Sequence, residues 1–94
     1  MNIDYSILPY HMQQATKLYI ENGIAGGSFL TAIMENDFLE ACKCADIDNQ
    51  RALFEWGKFL YTIPMSCYGS PEKVEKWIER GGLLGKRPQM SVVS

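Results

Sequence analysis

Apolar side chains recur along this chain at steps of three and four, the spacing of one helix face, and strand-like alternation is nearly absent. Leu8, Met12, Ala15 and Tyr19 make the first such row, with Asn22 completing it. Pro9 suits a first helical turn, where its missing N–H costs nothing, and Gly23 supplies a left-handed exit. The pattern predicts a helix from about Pro9 to Asn22. Gly26 and Gly27 then restart the chain, and Ser28 reads as an N-cap whose hydroxyl accepts from an orphan amide. Phe29, Leu30, Ile33 and Met34 share a face, which predicts a short second helix ending near Asn36.

In "DFLEACKCAD", Asp37 and Glu40 have the spacing of a capping box, and Phe38, Leu39, Ala41, Cys42 and Ala45 supply apolar surface. A third helix is expected from Phe38 to about Ala45. Asp46 or Asp48 then caps what reads as the longest helix, closed by Pro64. Its stripe is Ala52, Trp56, Phe59, Leu60 and Ile63, with Phe54 and Tyr61 beside it. An arc that wide predicts packing on more than one neighbour. The clearest local signal is "GSPEKVEKWIERGG". Ser70 caps, Pro71 takes the first position, Glu72 complements the dipole, Val74, Trp77 and Ile78 face inward, and Gly81 terminates. "GLLGKRPQMSVVS" has no helical period. The expectation is an all-α fold, a single compact bundle of about five short helices over residues 1–84, with 85–94 as a mobile tail. No repeat, low-complexity tract or second domain is visible.

Composition supports one folded core: 94 residues, 47% apolar and 12% aromatic, with a net charge of −2. Acids fall mostly before Trp56 and bases mostly after it, so the chain is mildly bipolar. The charge is too small to imply nucleic acid or membrane as a partner. Cys42, Cys44 and Cys67 are odd in number and follow no cleavable leader, which fits a reducing compartment. No apolar run approaches the ~18 residues that span a bilayer. A soluble cytoplasmic protein with no membrane association is expected.

Candidate chemistry is mostly excluded by what it would require. "ENGIAGGSFL" is Gly-rich, but a phosphate loop needs a preceding strand and a lysine directly before its closing Ser or Thr; here a helix precedes and Gly27 stands in the lysine's place. It reads as a bend. Cys42 and Cys44 lie about 200° apart on a helix, and with Cys67 and the single His11 they make no zinc spacing. They are expected to be buried as small hydrophobes. His11 lacks a triad signature, although Ser66 or Cys67 could neighbour it, and is expected on or near the surface. The aromatics Phe54, Trp56, Phe59, Tyr61, Tyr68 and Trp77 lack the interleaved bases of a nucleic-acid platform. The helix Pro71–Arg80 balances its acids with bases and turns Trp77 inward, which argues against a DNA-reading helix. No catalytic residue, cofactor site or metal site is expected, nor direct nucleic-acid binding.

The remaining interaction feature is acidic: Glu35, Asp37, Glu40, Asp46 and Asp48 cluster around two helix starts. Capping and dipole complementation account for Asp37 and one later aspartate. The set also reads as a patch that docks on a basic protein surface. Glu35 and Glu40 are its least structural members, and Tyr5, Tyr10 and Tyr68 are alternative contact residues.

Through "GSFLTAIMENDFLEACKCAD", "FLYTIP" and "CYGSPEKVEKWI", the chain resembles a family of small uncharacterised bacteriophage and prophage proteins, over roughly Leu8 to Ile78. These motifs are caps and core positions, and no residue role carries over with them. The resemblance implies a phage accessory setting in the cytoplasm of the bacterial host. Small phage proteins of that type often bind a host protein, including inhibitors of bacterial defence such as anti-CRISPR proteins. The expected function is therefore non-enzymatic binding to a host protein. The alternative is a small nucleic-acid-associated regulator using the basic residues Lys86 and Arg87.

Overall fold

The computed structural model describes residues 3–85. The expected tail, with Lys86 and Arg87, lies outside them except for Gly85. Among the described residues there are six α-helices and no strand. They are α1 (Tyr10–Asn22), α2 (Ser28–Met34), α3 (Phe38–Cys44), α4 (Ile47–Arg51), α5 (Leu53–Leu60) and α6 (Pro71–Arg80). Short 3-10 turns at Tyr5–Ile7 and Met65–Cys67 precede α1 and α6. The fold is all-α, as the periodicity predicts.

Several helix ends follow local chemistry. Gly23 and Gly81 close α1 and α6 in the left-handed conformation, at φ 70° and 89°. Asp37, Asp46 and Ser70 cap α3, α4 and α6 by accepting from Glu40, Asn49 and Lys73 amides. Ser28 does not cap as expected. It is the first residue of α2, and the cap position falls to Gly27, which has no side chain to offer. Nor is the capping box reciprocal: Asp37 N–H donates to the Ala32 carbonyl, and the Glu40 carboxylate accepts from the Cys44 thiol.

The expected longest helix is two helices. It breaks at Ala52, which ends α4 and begins α5 at φ −105°, ψ 15°. Across the break Trp56 Nε1–H donates to Asn49 Oδ1 at 3.0 Å, with both residues buried, which satisfies two polar groups inside the core. α1 is then the longest element, at 13 residues. The second stripe also fails as a packing surface, because Phe54 and Tyr61 are 72% and 90% exposed.

Trp56 sits at the centre of the core, edge-on to Phe29 at 5.4 Å and to Phe59 at 6.2 Å between ring centroids. The same buried cluster includes Tyr19, Ile20, Leu30, Met34, Ala41, Cys67, Val74 and Trp77. The Tyr19 hydroxyl donates to the Cys67 carbonyl at 2.6 Å.

The two ends of the domain meet where α1 and α6 terminate. Trp77 Nε1–H donates to the Tyr19 carbonyl at 3.0 Å, and the Leu83 and Leu84 amides donate to Ile20 and Glu21 carbonyls. The Ile20 and Glu21 carbonyls, which the end of α1 leaves without a helical partner, are thus occupied by the turn after α6, and the Tyr19 carbonyl, already bonded by the Gly23 amide, gains a second donor. "GGLL" has no helical period, but it forms a turn docked on α1. Backbone crosses backbone there: a Cβ on Gly82 would lie 2.6 Å from Gly23 N, and one on Gly23 would lie 2.7 Å from Gly82 N. Only glycine fits either position.

Two sets of variants test this architecture. Gly82→Ala and Gly23→Ala should each destabilise the domain, combining positive φ with backbone collision. Gly57→Ala, in open space within α5, should stabilise it by about 0.5–1 kcal/mol. Urea melts showing equal effects at all three positions would contradict the crossing. Trp77→Ala should cost about 3–5 kcal/mol, and a melting temperature within a few degrees of the native chain would contradict its anchoring role.

Candidate functional site

The structure divides the predicted acidic patch. Glu35, at the end of α2, and Glu40, in α3, line one shallow hollow of about 390 Å³ with Gly26, Gly27, Ser28 and Thr31. Asp37 caps α3 and lines a different hollow, beside Phe38. Asp46 is engaged twice, capping α4 through the Asn49 amide and meeting His11 Nε2 at 2.8 Å. Asp48 is exposed in the first turn of α4. Glu35 and Glu40 are therefore the pair that shares a surface, and Asp46 is a structural group.

The His11–Asp46 pair is exposed and ties the first turn of α1 to the cap of α4. A carboxylate orienting an imidazole is half of a nucleophilic site. The nucleophile is not supplied by Cys67, which is buried with its thiol turned to the Pro64 carbonyl at 3.0 Å. Burial pushes that thiol up to about 12, so the reactive thiolate is disfavoured. Cys42 and Cys44 are half-buried rather than buried as expected. The Cys44 thiol donates to Glu40 at 3.3 Å, and that carboxylate holds it above its ordinary range. Among the described residues, no three His, Cys, Asp or Glu side chains gather in a way that could hold a metal ion. No described helix is long and apolar enough to cross a membrane.

Two surfaces carry more binding character than the predicted patch. The first is the outer face of α5. Leu53, Gly57 and Leu60 line a hollow of about 210 Å³ with Ile33, Phe38 and Ala41. Gly57 and Leu60 continue into a second hollow of about 280 Å³ with Tyr61 and Tyr68. Phe54 stands on the same helix under the Lys58 ammonium, 5.3 Å from the ring centroid. The second surface is an open groove of about 520 Å³ between α2 and α6, floored by apolar side chains and edged by Glu35, Glu75 and Glu79.

Sequence periodicity missed the first surface because an apolar arc looks the same whether a neighbour covers it or solvent does. It missed the second because α6 balances in charge when counted whole. The separation was legible in spacing: Glu72, Glu75 and Glu79 repeat at three and four, as do Lys73, Lys76 and Arg80. Glu75 and Glu79 of the acidic row edge the groove, and the basic row lines another hollow with Ser66 and Trp77.

Comparison with protein-family models, curated proteins and solved structures finds no match.

The Asp46 carboxyl is held below its usual range, first by the Asn49 amide and further by His11. A group depressed in the folded state stabilises it above the unfolded value of ~3.9, and that contribution is lost as pH falls through the folded value. Asp46→Asn keeps a capping oxygen but has no charge to titrate. The stability margin of the native chain over this variant should therefore shrink below about pH 4. A margin unchanged across that range in thermal melts would show that Asp46 does not carry the linkage.

Proposed function

We propose that this protein is a non-enzymatic bacteriophage accessory protein that acts by binding a host protein, with inhibition of a host defence system as the expected consequence. The observation that carries the binding reading is the apolar face of α5 and its neighbour α3. Phe38, Leu39, Phe54 and Tyr61 are each at least 65% exposed. Phe38 and Tyr61 line two hollows that share Gly57 and Leu60, Leu39 follows Phe38 on α3, and Phe54 lies on α5, whose C-cap is Tyr61. Large apolar side chains gathered on one face of a small monomer mark an interaction site more often than chance. Aromatics of this kind anchor interfaces when a partner desolvates them. The phage setting rests on the resemblance over Leu8 to Ile78, and the host partner follows from that setting.

The acidic residues enter this reading in a reduced role. Glu35 and Glu40 remain available to steer a basic partner, whereas Asp37 and Asp46 are occupied as caps. A nucleic-acid-associated regulator is the second reading, favoured by the row Lys73, Lys76 and Arg80 on α6. It predicts binding to duplex DNA that falls steeply with salt.

The test is capture of a partner from a bacterial host lysate with the tagged protein, identified by mass spectrometry and confirmed with purified components. Phe54→Ser/Tyr61→Ser should keep the native melting behaviour, since exposed substitutions usually shift stability by less than about 0.5 kcal/mol. The same variant should weaken the complex by at least tenfold, as expected for interface anchors worth more than ~1.4 kcal/mol together. Undiminished affinity in the folded variant would remove the α5 face from the interface. Salt-sensitive DNA binding without a protein partner would replace the reading with the second one.

A further inference from the structure

We propose that the groove between α2 and α6 receives a cationic amphipathic helix of a partner protein. Its bottom is closed by the buried side chains of Leu30, Met34 and Val74, and its accessible apolar surface comes from Ala25, Pro71 and Ile78. Leu30 and Met34 are four residues apart, as are Val74 and Ile78, so each pair shares one face of its helix along the groove. Glu75 and Glu79 repeat the same spacing along the α6 edge, and Glu35 stands on the α2 edge. No lysine or arginine lines the groove. The ion pair formed among the described residues, His11 with Asp46, involves none of these three carboxylates.

That arrangement selects its occupant by charge and by shape. An acidic segment would be repelled from both edges. A neutral apolar segment would cover the floor but place three carboxylates beside a surface that cannot solvate them. A helix with an apolar stripe flanked by Lys or Arg meets the floor and both edges at once, which is how helix-in-groove recognition divides its labour. The groove is open enough, at about 520 Å³, to take side chains along one helical face. Gly26 keeps one end clear: a Cβ there would lie 2.5 Å from Leu30 Cδ2 and force that floor residue aside.

The inference rests on the reading of the chain as a protein binder, but not on the α5 face. α2 turns Ala32 and Ile33 to the α5 side, and Leu30, Thr31 and Met34 to the groove. The two surfaces can be tested separately.

The experiment is fluorescence anisotropy with three labelled synthetic helices of equal length and one apolar stripe, built of leucine with lysine, with glutamine or with glutamate. The lysine helix should bind, the glutamine helix more weakly and the glutamate helix not at all. Glu75→Gln/Glu79→Gln should retain the native melting temperature, weaken the lysine helix roughly tenfold and flatten its salt dependence, as loss of two interfacial charges requires. Asp48→Asn/Glu55→Gln makes the same change in net charge elsewhere and should leave binding intact, as should Phe54→Ser/Tyr61→Ser. Failure of the lysine helix to bind, or equal binding of all three helices, overturns the proposal. So does an equal loss in the Asp48/Glu55 variant, which would mean non-specific attraction. A loss confined to the Phe54/Tyr61 variant would move the peptide to the α5 face, leaving the binder reading intact and this one refuted.

Discussion

The fold depends on how the carboxyl end of α1 is closed. A helix ends with carbonyls that its own backbone cannot satisfy, and near the core such groups need partners. Here the turn after α6 supplies the Leu83 and Leu84 amides to the Ile20 and Glu21 carbonyls, and the Trp77 indole adds a second donor to the Tyr19 carbonyl, which already accepts from the Gly23 amide. Trp77 is buried and lies beneath the Arg80 guanidinium, 5.0 Å from its ring. One side chain therefore joins apolar burial, a cation–π contact and a helix cap. The glycine crossing at Gly23 and Gly82 follows, because the hydrogen bonds need backbones closer than any Cβ allows.

With that junction closed, α6 is fixed against α1, and α2 lies alongside it to form the walls of the acidic groove. A second polar tie runs parallel to it. Tyr19 holds Cys67 through its hydroxyl, and the Gly69 amide donates to the Met34 carbonyl at 2.7 Å, which pins the segment before α6 to the end of α2. The α5 face has another origin. The Asn49–Trp56 bond spans the break at Ala52, and α5 buries Trp56 and Phe59 while Phe54 and Tyr61 remain in solvent.

Charge follows the same division. On α6 the acids and bases form separate rows, one at the groove and one beside Ser66. A helix that is neutral in sum thus presents two surfaces of opposite sign. The aspartates at helix starts are consumed locally: Asp37 and Asp46 accept from amides three residues on, so their charge serves the fold.

Much of the fold was legible because its signals are local. Gly23 and Gly81 end helices through their own conformational freedom, and Asp37, Asp46 and Ser70 cap helices with their own side chains. The helical period placed Tyr19, Trp56, Phe59, Val74 and Trp77 in the core, where they lie. Tertiary contacts decided the rest. Ala52 is a strong helix former, so nothing nearby marks the break there, which the Asn49–Trp56 bond spans. Gly82 lies in a stretch without helical period, and nothing nearby marks its close contact with the end of α1. Likewise, the acids near Asp37 and Asp46 read as one patch, yet Glu35 joins Glu75 and Glu79, some forty residues away, across a groove that neither helix forms alone. Periodicity tells which face of a helix is apolar. Whether protein or solvent meets that face depends on where the other helices go, and distant hydrogen bonds and backbone crossings set that course.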